Sequence, residues 1–210
     1  LMKLDGEQED DSEEEDGGEI LDDFVAYIKV DGAITYKPVM GMCGEVRGCS
    51  YKGLLESVED AIEEGAQCIV MDFSTPGGQA THAFEFAEEI RKLCTDNSVE
   101  MIAYVDEMAC SAGYLLACIC DEVIANPDAV VGSIGAVVAL TDVSEAMKQA
   151  GIKRIFITSG TAKVPYDEDG AFKSDFIEKV QSEVDMLNTK FTNHVSKYTG
   201  LSTETIGGLN

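Results

Sequence analysis

Histidine is scarce in this chain: His82 and His194 are the two in 210 residues. Basic residues are scarce as well, 15 against 40 acidic ones, which leaves a formal net charge of −25. A surface of that sign repels nucleic-acid phosphates and anionic membranes, so neither is expected as a direct partner. No run of 18 apolar residues occurs and the start carries no signal-peptide pattern, so no membrane segment is read in this stretch. A start at Leu1 fits a trimmed or processed product, and an anchor upstream of it remains an open alternative. The seven cysteines are odd in number and form no CxxC pair. With two histidines they make no zinc site, and neither metal nor cofactor is expected. Several sit inside apolar patterns, where cysteine behaves as a small hydrophobe. Reduced thiols point to a cytoplasmic protein.

What is present suits one good-sized domain: 45% hydrophobic and 26% charged residues over 210 positions. Much of the charge is local. Leu1 to Asp23 holds twelve acidic residues and one basic residue, leaving −14 for the other 187. Residues 1–20 read as an acidic, disordered tail, and 21–210 as a single domain.

Beyond the tail, short apolar strands alternate with helical patterns. Phe24 to Val30 reads as a strand, Met40 to Gly53 as a glycine-rich loop, and Leu54 to Ile62 as a helix stopped by Gly65. Cys68 to Phe73 is a strand, Ala83 to Leu93 a helix and Met101 to Val105 a strand. Ser111 to Cys120 is expected as a buried helix and Glu122 to Ala125 as a short strand. Val143 to Ala150 follows as a helix, Arg154 to Thr158 as a strand, and Asp175 to Tyr198 as a long amphipathic helix. The alternation predicts an α/β fold with mainly parallel pairing.

Four segments could carry chemistry. Ser111 stands between a strand and a helix, where a hydroxyl is exposed and the helix N-terminus favours negative charge. The competing reading is a plain N-cap serine, which is common at such a position. Thr75-Pro76-Gly77-Gly78 ends an apolar strand, and its glycines let backbone N–H groups point into a site, or simply make a tight turn. Lys163 follows in Ser159-Gly-Thr-Ala-Lys-Val-Pro, a stretch short of charge. Lysine acts as a base when burial lowers its pKa, although most lysines are exposed. Ser133, in Val131-Gly-Ser-Ile-Gly135, is either a turn residue or a hydrogen-bond partner for that amine. His82, just past the Pro-Gly-Gly turn, is a rival base; His194 falls on the long helix and reads as a solvated flank.

The order and spacing of these segments resemble the signal peptide peptidase A (protease IV) family of serine peptidases, in particular its phage capsid assembly branch. Asp72-Phe-Ser-Thr-Pro-Gly-Gly is similar to that family's strand and turn, with Thr75 in place of a serine. Tyr104 to Tyr114 resembles the nucleophile segment, Val131-Gly-Ser-Ile-Gly135 the Gly-Ser-Ile-Gly stretch, and Ser159 to Lys163 the lysine segment. Ser196-Lys-Tyr-Thr-Gly-Leu-Ser202 resembles a stretch near the end of the phage enzymes. The resemblance covers about Phe24 to Ser202. It implies Ser111 as nucleophile, Lys163 as general base, Ser133 assisting the lysine, and Gly77 or Gly78 in the oxyanion hole. It also implies the ββα-repeat fold of the Clp protease and crotonase superfamily, a homo-oligomer, and a peptide substrate, with capsid or scaffold proteins as partners. The location implied is host cytoplasm or an assembling capsid. Two departures stand out. The chain stops at Asn210, before the family's usual closing strand and helix, and Lys163 is followed by Val-Pro-Tyr rather than the usual polar residues. Three other readings stay open: a membrane-associated signal peptide peptidase that has lost its anchor, a crotonase-type acyl-CoA enzyme, and a non-catalytic assembly protein.

Overall fold

The computed structural model describes residues 24–42, 46–160 and 163–207. The acidic tail, Cys43, Thr161 and Ala162 lie outside the described residues. In chain order come β1 (Val25–Asp31), β2 (Ile34–Thr35), β3 (Val39–Met40), β4 (Val46–Arg47), β5 (Cys49–Ser50) and α1 (Tyr51–Glu63). Then follow β6 (Cys68–Thr75), α2 (Ala83–Asp96), β7 (Glu100–Cys110), α3 (Ala112–Ala117), β8 (Glu122–Ala125) and β9 (Val130–Gly132). The last elements are α4 (Ser144–Gln149), α5 (Ser174–Thr199) and α6 (Thr203–Gly207). The fold is mixed α/β with a mostly parallel sheet. Its backbone groups into two units, one running to Ile134 and resuming at Thr192, the other Gly135–Phe191.

The first unit is built on a parallel sheet in the order β1-β6-β7-β8, with β9 also pairing β7. Strict alternation explains its one buried face. Ala26, Ile28 and Val30 of β1, Ile69, Met71 and Phe73 of β6, and Met101, Ala103 and Val105 of β7 all point inward. Helices cover that face. In α1 the buried residues Tyr51, Leu54, Val58 and Ala61 recur at intervals of three and four, and Ser50 caps the start by accepting the Gly53 N–H at 3.1 Å. In α2 the stripe is Phe84, Ala87, Ile90 and Cys94.

The β6–β7 ladder is irregular near its carboxyl end. Phe73 pairs with Val105, but Ser74 pairs with Met108, so Asp106 and Glu107 are extra on β7. This bulge sits just before the segment of interest, a common place for one. It also carries β7 to Cys110, five residues past the expected end at Val105. The helix after it is shorter than the expected Ser111–Cys120, covering Ala112–Ala117.

In the second unit, α4 lies within the expected span. An aromatic series, Phe156–Tyr166–Phe172–Phe176, runs with centroid spacings of 6.0, 4.9 and 5.8 Å. The expected strand Arg154–Thr158 is not one: it joins no ladder, and Ile155 and Ile157 are 77% and 96% exposed. Its β-branched residues have strand propensity but no paired edge, and propensity alone makes no strand. The six described cysteines are all free thiols. No described helix is long and apolar enough to cross a membrane.

Candidate active site

Ser111 sits between β7 and α3 at φ 52°, ψ −119°, a left-handed conformation that favours glycine. Such strain, of order 1–3 kcal/mol, persists only where neighbours over-determine it. Here they do. The Ser111 N–H donates to the Gly132 carbonyl at 2.8 Å, and its carbonyl accepts from the Leu115 N–H at 3.0 Å. Its side chain makes no capping bond to α3. An N-cap serine has extended backbone and an engaged hydroxyl, so capping does not explain this residue.

The Pro-Gly-Gly turn closes over it. Gly77 has φ +99°, and a Cβ there would stand 2.7 Å from both the Cys110 carbonyl oxygen and the Ser111 Cβ. Gly78 is clamped from the other side: a Cβ on it would meet the Ile34 carbonyl oxygen at 1.9 Å. Ile34 N–H donates to the Gly77 carbonyl at 2.9 Å, and Gln79 N–H to the Ile34 carbonyl at 2.9 Å. Both glycines are therefore required by close backbone approach.

Thr75 organises this turn, a role the sequence reading did not assign. It is fully buried; its hydroxyl donates to the Gly32 carbonyl at 2.6 Å and accepts the Gly77 N–H at 3.1 Å. Its methyl lies 2.4 Å from where a Cβ of Gly113 would be. One side chain thus ties β1, the turn and α3 together. The signal was its place directly before Pro-Gly-Gly, where the resembled family has serine.

β9 brings the third segment in. Cys110 pairs with Gly132, so Ser133 follows one residue beyond the partner of the residue before Ser111. Ser133 is exposed and also has positive φ, 53°. The first unit therefore gathers Ser111, Gly77, Gly78 and Ser133 at the carboxyl ends of parallel strands, where open α/β sheets hold their ligands.

Lys163 belongs to the second unit. Its N–H donates to the Gly160 carbonyl at 3.3 Å, and the residue is exposed.

Neither histidine bonds to Ser111 among the described residues. His82 is exposed, has φ 66°, and lies tilted against Tyr36 at 4.6 Å between ring centroids. His194 is not on a solvated flank: its side chain is 4% exposed, with Nε2 3.1 Å from the Leu115 carbonyl oxygen. Its spacing from Phe191 and Tyr198 by three and four places it on the buried face of α5, and that was legible. Behind α3, burial pushes the Cys118 thiol up to about 12.

The sequence model of Peptidase family S49 matches residues 95–209, more than half of the chain. The chain belongs to peptidase family S49. Among its relatives, the head-tail preconnector protein GP5 of Enterobacteria phage P21 is 28% identical over 88% of this chain and 36% of its own length. Capsid assembly protease C of Escherichia phage lambda is 30% identical over 87% of this chain and 41% of its own. The probable protease SohB of Haemophilus influenzae is 25% identical over 76% and 45%. The chain spans less than half the length of these S49 relatives. The S49 match takes in Ser111, Ser133 and Lys163, while the Pro-Gly-Gly turn precedes it.

Proposed function

We propose that the chain is a serine endopeptidase with a Ser111–Lys163 dyad, acting on scaffold or capsid proteins during phage head assembly. The observation that carries this reading is Ser111 itself, strained, uncapped, and packed under a Pro-Gly-Gly turn. Membership of a peptidase family and the names of the two phage relatives support the substrate class. The Clp protease and crotonase type of fold is part of the same proposal.

In the proposed reaction, the neutral Lys163 amine takes the Ser111 hydroxyl proton as Oγ bonds to the peptide carbonyl carbon. The oxyanion collapses, the C–N bond breaks, and the ammonium returns its proton to the leaving amine. Water then attacks the acyl-enzyme by the reverse proton route, releasing acid and free serine. The N–H groups of Ser111 and Gly77 are already engaged, by Gly132 and Thr75. The oxyanion therefore falls to the N–H groups of Gly78 and Ala112. Ser133 would hold the lysine amine. An amine accepts a proton at neutral pH when burial or a neighbouring positive charge lowers its pKa. Lys163 is exposed, so the proposed dyad requires its amine to be covered when it acts; a homo-oligomer is part of the same proposal.

The test is cleavage of a scaffold or capsid protein with Ser111→Ala and Lys163→Met variants. Both should lose activity while keeping their fold; full activity in either would overturn the dyad. A fluorophosphonate adduct on Ser111 separates this reading from an acyl-CoA enzyme, which has no serine nucleophile.

A further inference from the structure

We propose that His194 is a positioning residue for Ser111, acting through the last turn of α3. The inference rests on Ser111 being the nucleophile. With six residues, α3 is too short to hold its geometry by its own backbone bonds. Leu115, one turn from Ser111, donates its N–H to the Ser111 carbonyl. The Leu115 carbonyl is an orphan of the helix end, because Cys118 N–H goes to Tyr114 and Ile119 N–H to Leu116. His194 Nε2 meets that carbonyl at 3.1 Å, and the Cys118 thiol donates to it at 3.4 Å.

The ring is itself held in place. Nδ1 faces Glu88 Oε1 at 3.6 Å. Glu88 accepts from Lys197 Nζ at 2.7 and 2.6 Å and from the Tyr198 hydroxyl at 2.9 Å. Phe84 and Tyr198 pack on the imidazole at centroid distances of 5.7 and 4.9 Å. A continuous set of contacts thus runs from Lys197 and Glu88 at the surface, through the buried ring, to the turn behind the nucleophile. Because Ser111 is bonded to Leu115, a shift of that turn displaces the hydroxyl, and a misplacement of about 1 Å can cost roughly 10²-fold in rate.

The experiment uses the intact chain with His194→Phe, His194→Gln and Glu88→Gln. It reads kcat and KM for peptide cleavage, the rate of fluorophosphonate labelling of Ser111, and thermal unfolding. His194→Phe keeps the ring volume and loses the donor; kcat and labelling should fall about tenfold with KM unchanged. His194→Gln, whose amide N–H can reach the same carbonyl, should recover most of that loss. Glu88→Gln should fall between. If His194→Phe does not fold, the labelling rates of the other two decide. The inference is overturned if His194→Gln is as slow as a folded His194→Phe, or if Glu88→Gln labels at the unaltered rate. No label on Ser111 in the unaltered chain would instead overturn the nucleophile reading, and this inference with it.

Discussion

Gly77 and Ser111 lie so close that a methyl group on the glycine would stand 2.7 Å from the serine Cβ. The turn and the nucleophile segment form a single backbone cluster, and substitutions in it separate activity from stability.

Gly77→Ala forces both a left-handed alanine and a clash with the Cys110 carbonyl. The strain amounts to about 1–3 kcal/mol, and relief must come by moving the turn away from Ser111. Peptidase activity should fall at least about tenfold, roughly 1.4 kcal/mol in the barrier, in protein that urea titration shows to be folded.

Ser111→Gly should do the opposite to stability. Removing the side chain at φ 52° relieves backbone strain, so the variant should gain about 1 kcal/mol in denaturant unfolding while losing all cleavage. A variant less stable than the original would show that Ser111 is not strained.

At Thr75 the hydroxyl and the methyl have separable roles. Thr75→Val keeps the packing against Gly113 but leaves the Gly77 N–H buried without a partner; about 1–3 kcal/mol of stability should go, with activity falling alongside. Thr75→Ser keeps both hydrogen bonds and loses one methyl, costing about 1 kcal/mol with activity largely retained. Parallel urea titrations and rate measurements on the two variants distinguish the roles.

Acid sensitivity should be set partly by Asp121. Its carboxyl is held below the usual carboxylate range, chiefly by the Arg91 guanidinium at 2.6 Å, against some burial and with help from the Met101 N–H at 2.9 Å. The folded value is the lower one, so the stabilisation is present above the unfolded value, near pH 4, and is lost as pH falls through the folded value. Asp121→Asn should be less stable at pH 7 and show a flatter loss of stability between about pH 4 and pH 2. Thermal unfolding across that range is the measurement.

Strands β1 and β6 and helices α1 and α2 were legible because one face of each is buried, with period two in the strands and intervals of three and four in the helices. The bulge was not, since Asp106 and Glu107 break the alternation of β7 and make the strand read as if it stopped at Val105. The strand Arg154–Thr158 was misread for a different reason: pairing is a property of two segments, and sequence shows one. Ser111 and the glycines stood out through their turn chemistry. The burial of His194 was available from helical spacing, but a polar side chain in an acidic chain invites a surface reading. The exposure of Lys163 was hidden because local apolar neighbours say little about what covers an amine.

The pair Asp106–Glu107 lies outside the β6 pairing of the strand that delivers the nucleophile. Val105 and Ala109 both face the core, with an even interval between them. A chain shortened by both acidic residues could still place Ala109 beside Thr75 and Ser111 beside Gly77. Dropping just one would leave a single extra residue beside Phe73 and Ser74, the count of an ordinary bulge. The stretch can therefore absorb a change of length between Val105 and Met108 while the pairs on either side stay in register.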